Sequence, residues 1–167
     1  MRGFRRRGDE LVAEVTPAEA QAIALMITRV AGLIEHEVAV GAPRDPALVR
    51  LFPDGYRDDP AAAAELRELT EGDLREQKLQ NARTVLGALP PGGEIWVDAE
   101  EADVWLMTLN DARLAIGEWL GITADTDFEA EFEETLRNDP SGERAFVLAV
   151  QDLLSYLVES LARALTE

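Results

Sequence analysis

The sequence predicts a mainly α-helical, single-domain bundle that also carries a small antiparallel β-sheet. Helix N-cap signals recur along the 167 residues, and the segments after them repeat apolar residues at helical spacing. No long linker divides the chain, and hydrophobic residues make up 47% of it, which is enough to bury one core. We therefore expect a single α-dominant domain over residues 1–167.

Short strands are predicted at two places. A hairpin is expected over residues 4–15, because two β-prone runs flank the turn at Gly8-Asp9. A third strand is expected at residues 94–97, directly after the turn-forming residues 90–93. Both the hairpin and this strand run into a capped helix, so their strands are expected to pair into one small sheet.

Capping boxes mark two of the predicted helix starts. Thr16-Pro17-Ala18-Glu19 combines a Thr cap with Glu three places on, and Asp98 with Glu101 follows the same logic. Three Asp-Pro pairs, at 45–46, 59–60 and 139–140, are each predicted to form a cap and a first turn. Another cap is expected at Thr126, and Gly121 is expected to end a helix.

These signals predict five main helical segments. The segments are 17–38, 60–89, 99–120, 127–137 and 140–166. Within the second, a restart after a bend is expected near Thr70, and Leu51 to Tyr56 is expected to form a loop. The last segment is predicted to bury one stripe, which contains Phe146, Val150, Leu153, Leu157, Leu161 and Leu165.

Charge restricts the possible partners. Asp and Glu number 33 against 16 Lys and Arg, which gives a formal net charge of −17. Such a field repels phosphate backbones and anionic lipid surfaces, so nucleic-acid and membrane binding are disfavoured. Because the basic N-terminus is not followed by an apolar segment, no signal peptide is expected, and the cytoplasm is the predicted location.

Most catalytic and cofactor chemistries lack their usual residues. The chain has no cysteine and one histidine, His36, which is predicted to lie on the polar side of its helix. Paired Glu-x-x-His motifs, a nucleophile elbow and phosphate-binding glycine loops are all missing from the sequence. We therefore expect no catalytic residue, cofactor or metal site, although an enzyme built from carboxylates and arginines stays open.

Polar residues within the amphipathic helices form the first candidate site. Arg83 borders one apolar stripe, and Asn110, Asp111 and Arg113 interrupt another. One interpretation is an interhelical ion-pair network that fixes packing. The other is a pocket or groove in which these side chains bind an anionic or peptide ligand.

Arginines at the N-terminus form the second candidate site. Arg2, Arg5, Arg6 and Arg7 account for four of the 16 basic residues. They either protect an edge strand from aggregation or contact nucleic acid or an acidic partner.

The acidic run 125–134 contains two phenylalanines at helical spacing. This pattern favours a solvated lid on the core over a docking surface for a basic partner.

Several stretches of the chain resemble a known family when they are taken together. They are Tyr56-Arg57-Asp58-Asp59-Pro60, Thr70-Glu71, Asp73-Leu74-Arg75, Lys78-Leu79, Ala82 to Leu86, Leu109 to Leu114 and Tyr156 to Leu161. With the N-terminal hairpin, they resemble an actinobacterial family of uncharacterised domains of unknown function. The resemblance covers nearly the whole chain and implies a gene context beside ClpS, the adaptor of the Clp protease, but no catalytic residue.

The leading functional hypothesis is a non-enzymatic, protein-binding or regulatory domain that is linked to Clp-type regulated proteolysis. Two alternatives stay open at this point. One is a transcriptional regulator that uses the basic N-terminal hairpin, and the other is a small-molecule-binding domain or enzyme with a pocket near Arg83 and Arg113. A homodimer is also compatible with an amphipathic helical domain, although no heptad repeat specifies one.

Overall fold

The computed structural model describes residues 1–36, 44–53 and 58–167, apart from the side chain of Arg67. In chain order, its elements are β1 (Arg2–Arg7), β2 (Glu10–Val15), α1 (Pro17–Glu35), α2 (Pro46–Leu51), α3 (Pro60–Ala88), β3 (Gly93–Val97), α4 (Ala99–Leu120), α5 (Phe128–Asn138) and α6 (Glu143–Thr166). The predicted fold class, mainly α with a small antiparallel sheet, is confirmed.

The three strands form one sheet with β2 in the centre. Both neighbours of β2 are antiparallel to it, with Arg6 opposite Leu11 and Ala13 opposite Ile95. The inner face of the sheet buries Phe4 against Trp105 of α4 in an edge-to-face ring contact, with the centroids 6.3 Å apart. The predicted hairpin and third strand are therefore confirmed, and β1 begins two residues before the expected start.

Helix α6 closes the outer edge of β1. The backbone N–H of Gly3 donates to Tyr156 Oη at 3.2 Å, and that of Phe4 donates to Ser160 Oγ at 3.0 Å. A Cβ at Gly3 would lie 2.7 Å from Ser160 Cβ, so only glycine permits this close approach. Further along, Arg6 donates to the carbonyl of Ala164 at 3.1 Å.

Local capping accounts for most of the helix starts. Glu19 N–H donates to Thr16 Oγ1 at 3.2 Å, and Thr16 N–H donates to Glu19 Oε2 at 2.7 Å, which completes the predicted capping box of α1. Asp98 forms the same reciprocal pair with Glu101 at α4. The side chains of Asp45 and Asp59 accept from the first turns of α2 and α3, as expected.

Two predicted caps are wrong. Asp139-Pro140 does not start α6, because Asp139 N–H donates to Thr135 O at 2.8 Å and ends α5 instead. A turn follows, and α6 begins at Glu143. For α5, Asp127 is the cap, and the Thr126 hydroxyl accepts from the Thr123 N–H at 2.9 Å.

Other boundaries also differ from the expectation. Helix α3 is continuous through Thr70, so the expected restart does not occur. The Thr70 hydroxyl does not act as an N-cap, because it donates to the carbonyl of Leu66, one turn earlier in the same helix, at 2.8 Å. Leu51, expected in a loop, ends α2 and is buried. The expected end of the first helix at residue 38, and part of the expected loop at residues 54–56, lie outside the described residues.

The core is organised around α4, which packs against α6, α2, α3 and α1. Trp105, Leu109 and Ile116 of α4 are fully buried, and Gly121 ends the helix in the left-handed conformation at φ 71°. Phe146, expected in the buried stripe of α6, is 42% exposed. Because α6 starts only at Glu143, Phe146 lies in its first turn, and neighbouring residues take up the buried face.

Two core helices, α1 and α6, are long and apolar enough to cross a membrane by length and composition alone. In this fold 39% and 56% of their apolar windows are buried, and both supply side chains to the common core. Core helices often meet the same criteria, so this is weak evidence for a membrane span.

Candidate functional site

The first predicted site divides into three separate contacts. Arg83 lies on the surface of α3 and pairs with Glu76 of the same helix at 3.5 Å. Arg113 donates to Asn110 Oδ1 at 2.8 Å, within α4. Asp111 lies on another side of α4 and faces α3. The structure therefore brings only Arg113 and Asn110 of these four residues together. Arg83 contacts Glu76, and Asp111 contacts Lys78.

Asp111 forms the best-buried ion pair of these residues. Lys78 Nζ lies 2.9 Å from both carboxylate oxygens of Asp111, and the two side chains are only 15% and 16% exposed. The same ammonium lies 5.8 Å from the ring centroid of Phe52, just after α2. This contact links α3, α4 and the end of α2.

Lys78 belongs to the residues of the family resemblance, but its pairing with Asp111 was not predicted from the sequence. The partner lies 33 residues away, so no local spacing reveals the pair. A lysine at the border of an apolar helix face, opposite an aspartate similarly placed on another helix, is the signal that could have suggested it.

Burial raises the pKa of the Asp111 carboxyl above its ordinary value of 3.8, and the hydrogen bond and positive charge of Lys78 oppose that rise. Beside the pair is a small cleft between α1, α3 and α4. It is lined by Ile27, Val30, Ala31, Ile34, Lys78, Ala82, Thr108, Asp111 and Ala112. Its free space is enough for about one water molecule.

Thr108 gives this cleft one further polar group. It is only 6% exposed, and its hydroxyl has no hydrogen-bond partner among the described residues. A water in the cleft is the natural partner for such a group. The arrangement suits solvation of the Lys78–Asp111 pair and is too small for an organic substrate.

No metal cluster is evident in the described ranges. They contain no group of three or more His, Asp and Glu side chains that could hold an ion. His36 is exposed at the end of α1, with Nδ1 2.9 Å from the carbonyl of Gly32. Its predicted place on the polar side of the helix is confirmed.

The arginines of the second predicted site all have partners within the domain. Arg2 and Arg5 lie 3.7 and 3.1 Å from Glu14, and Arg7 lies 3.5 Å from Glu94. Arg6 is held by α6, as described above. The outer face of the sheet therefore mixes both charges.

Helix α5 has the predicted amphipathic arrangement. Phe128 and Phe132 contact each other with ring centroids 5.9 Å apart, and both pack against the core. None of the residues of α5 is fully buried. The helix thus covers the core as a shallow layer, with its carboxylates toward solvent.

The first half of α3 is the surface that sequence reasoning missed. Between residues 60 and 76, Ala63 is the only described side chain that is buried. Leu66 is 36% exposed and Leu69 is 73% exposed, and their spacing of three residues places them on one face of the helix. We call this pair the α3 leucine face.

Acidic residues border the α3 leucine face. Glu65, Asp73 and Glu76 are exposed on the same side of the helix by their spacing. No role was predicted for these leucines from the sequence. Helix α3 turns its other side to the bundle, where Ala82 and Val85 are buried.

Comparison with known proteins gives relatives with regulatory names. A protein of Mycobacterium tuberculosis and one of Mycobacterium bovis, both named oxidative stress regulator AosR, are 37% identical to this chain over 94 residues. The match covers 48% of this chain and 43% of each relative, so it spans less than half the length of those relatives.

No solved structure shows significant similarity to the chain. The sequence profile of a domain of unknown function, DUF2017, matches residues 1–165, which is nearly the whole chain. The resemblance to a family of uncharacterised domains is thereby confirmed. On this evidence, the chain belongs to the DUF2017 family.

Proposed function

We propose that this chain is a non-enzymatic regulatory protein that acts by binding a protein partner through the α3 leucine face. The observation that carries the proposal is the exposure of Leu66 and Leu69 on a helix whose other side is anchored in the bundle. Two apolar side chains at helical spacing are a common way for a helix to enter a groove on another protein.

The charge around this face suggests what the partner looks like. Glu65, Asp73 and Glu76 border the leucines, and the whole chain has a net charge of −17. A groove with an apolar floor and Lys or Arg at its rim complements such a helix, and opposite charge also accelerates association. We therefore infer a basic-rimmed protein partner.

The response to oxidative stress is the process that the named relatives suggest. Those relatives match part of the chain and are called oxidative stress regulators. These 167 residues contain no cysteine, so a thiol or disulfide switch within them is impossible. In our proposal the chain regulates the oxidative-stress response by binding a partner protein, and a partner protein senses the oxidant.

More specifically, we propose that the regulated process is proteolysis by a Clp-type system in the cytoplasm. A transcriptional role through the N-terminal hairpin has less support, because Arg2, Arg5 and Arg7 face glutamates within the domain. A ligand-binding or enzymatic role near Arg83 and Arg113 also has less support, because these side chains contact Glu76 and Asn110 instead of sharing a pocket.

Affinity capture with quantitative mass spectrometry tests the proposal. The wild-type chain, the L66E/L69E variant and an L25E control are expressed at equal levels in native cells. Leu25 of α1 is 53% exposed and lies outside the proposed face, so its variant controls for added charge on an exposed leucine.

The wild type and L25E are expected to recover the same stoichiometric partner in mild salt. L66E/L69E should lose it at least about tenfold, because charge is placed on the two central apolar contacts. Recovery of no stoichiometric partner, or equal recovery with all three proteins, contradicts the proposal.

A further inference from the structure

The two edges of the sheet differ in how they are protected. Side chains of α6 accept the backbone N–H groups of Gly3 and Phe4, so the β1 edge is closed. On the other side, β3 is the terminal strand, and in the described part of the chain no backbone hydrogen bond reaches its outer edge. An open strand edge is a template for another strand.

The exposed side chains of β3 include a tryptophan, a residue type that is frequent at protein interfaces. Trp96 is 41% exposed on the outer face of the sheet. Arg7 lies over its ring at 5.1 Å, and its indole N–H donates to Glu94 Oε2 at 3.0 Å. An aromatic ring held in place by such contacts loses little side-chain entropy on binding, and Trp and Arg are frequent interface anchors.

We propose that a second copy of this chain pairs with the open β3 edge, antiparallel to it, to form a continuous six-stranded sheet across a two-fold axis. The α3 leucine face is not part of this contact, so the inference is independent of the proposed function.

The strand sequence is complementary to itself in this arrangement. If the two-fold axis passes at Ile95, Glu94 of one copy lies opposite Trp96 of the other, and the Trp–Glu contact already present within each chain can form between chains. Ile95 and Val97 point to the inner face, where both are buried, so the two cores approach each other below the new strand pair. An isologous contact of this kind closes as a dimer.

Charge selects this face for contact between identical chains. Each copy has a net charge of −17, so most surfaces of two copies repel each other. The three strands carry four Arg and three Glu residues, so the sheet itself does not share the strong negative charge of the whole chain, and Arg7 of β1 reaches Trp96 and Glu94 on β3. Added salt therefore strengthens the dimer, because it screens the repulsion of the remaining surfaces.

The contact is small. A strand of five residues buries less surface than the roughly 800 Å² per partner of a standard stable interface. The dimer is accordingly weak and reversible, and it depends on protein concentration.

Analytical ultracentrifugation of the purified chain tests the proposal first. The mass is expected to rise from 18.3 kDa toward twice that value as concentration increases to about 1 mM, and to rise more at high salt. In W96E, the introduced carboxylate would face Glu94 of the second copy, so the variant should stay monomeric. F146E is the matched control, because Phe146 is 42% exposed and lies on α6, and it should associate like the wild type.

Cross-linking tests the register and does not depend on the W96E variant folding. Because the chain has no cysteine, E94C and W96C can each introduce a single thiol. A mixture of the two variants should form a disulfide-linked pair faster than either variant alone, since only the mixture places two thiols directly opposite each other.

A chain that stays monomeric at about 1 mM at every salt concentration overturns the proposal. It is also overturned if folded W96E dimerises like the wild type, or if the mixture cross-links no faster than the separate variants.

Discussion

Lys78 Nζ lies at the same distance, 2.9 Å, from both carboxylate oxygens of Asp111, and this contact joins the middle of α3 to the middle of α4. Both side chains are mostly buried, and Phe52 lies against the ammonium. The pair is a structural junction between helices, and burial raises the pKa of its carboxylate.

The pH dependence of stability should show the Asp111 titration. Its pKa is raised in the folded state from 3.8, so the folded protein binds the proton more tightly than the unfolded chain. The cost of burying the charge is therefore absent below pH 3.8 and appears as pH rises through the raised pKa.

An Asp111→Asn variant lacks this titration and provides the comparison. The free energy of unfolding of the wild type minus that of the variant should decrease as pH rises through this window, measured by urea denaturation. A difference that increases with pH would mean that Lys78 outweighs burial and lowers the pKa.

Breaking the pair from the lysine side should be costly. Lys78→Met leaves the Asp111 carboxylate buried without its counter-charge, and we expect a loss of about 3 kcal/mol at neutral pH. The double variant K78M/D111L removes both charges and should recover most of that loss. If the double variant is as unstable as K78M, the loss does not come from an unpaired buried charge, and this account of the pair is contradicted.

The capping box of α1 should contribute measurably to stability. Thr16→Ala removes the acceptor of the Glu19 N–H, and the expected cost is about 1 kcal/mol. Thr84→Ala is the control, because this exposed threonine near the end of α3 donates its hydroxyl to the carbonyl of Gln80 within the same helix, and alanine favours the helix. Thermal unfolding of both variants checks the contrast, and equal effects would contradict it.

The contact between β1 and α6 should tolerate no side chain at Gly3. Gly3→Ala places a Cβ 2.7 Å from Ser160 Cβ, so we expect a destabilisation of about 1–3 kcal/mol. Gly32→Ala, in α1, meets no atom within 4 Å and should stabilise by about 0.5–1 kcal/mol. Denaturation midpoints of the two variants test this, and a stable G3A protein would show that α6 is not tightly packed on β1.

Features set by neighbouring residues were predictable from the sequence. The capping boxes at Thr16 and Asp98, the left-handed end at Gly121 and the two genuine Asp-Pro starts all depend on contacts within four residues. The third Asp-Pro pair failed because Asp139 was already bound to the preceding helix, and a local rule cannot weigh two competing helices.

Features set by packing between elements were not predictable in the same way. The sequence indicated that Asp111 interrupts an apolar stripe of its helix, but not that it pairs with Lys78, which lies 33 residues away on another helix. The glutamates facing the N-terminal arginines became visible only with the strand register. The exposed leucines of α3 required knowing which half of that helix packs on the bundle.

The most direct test of the central claim is the affinity of the purified chain for the partner that affinity capture recovers. Titration calorimetry should give the same dissociation constant for the wild type and L25E, and one at least about tenfold weaker for L66E/L69E. Added salt should weaken binding to a basic-rimmed groove. Equal affinity of the wild type and L66E/L69E would show that the α3 leucine face is not the binding surface.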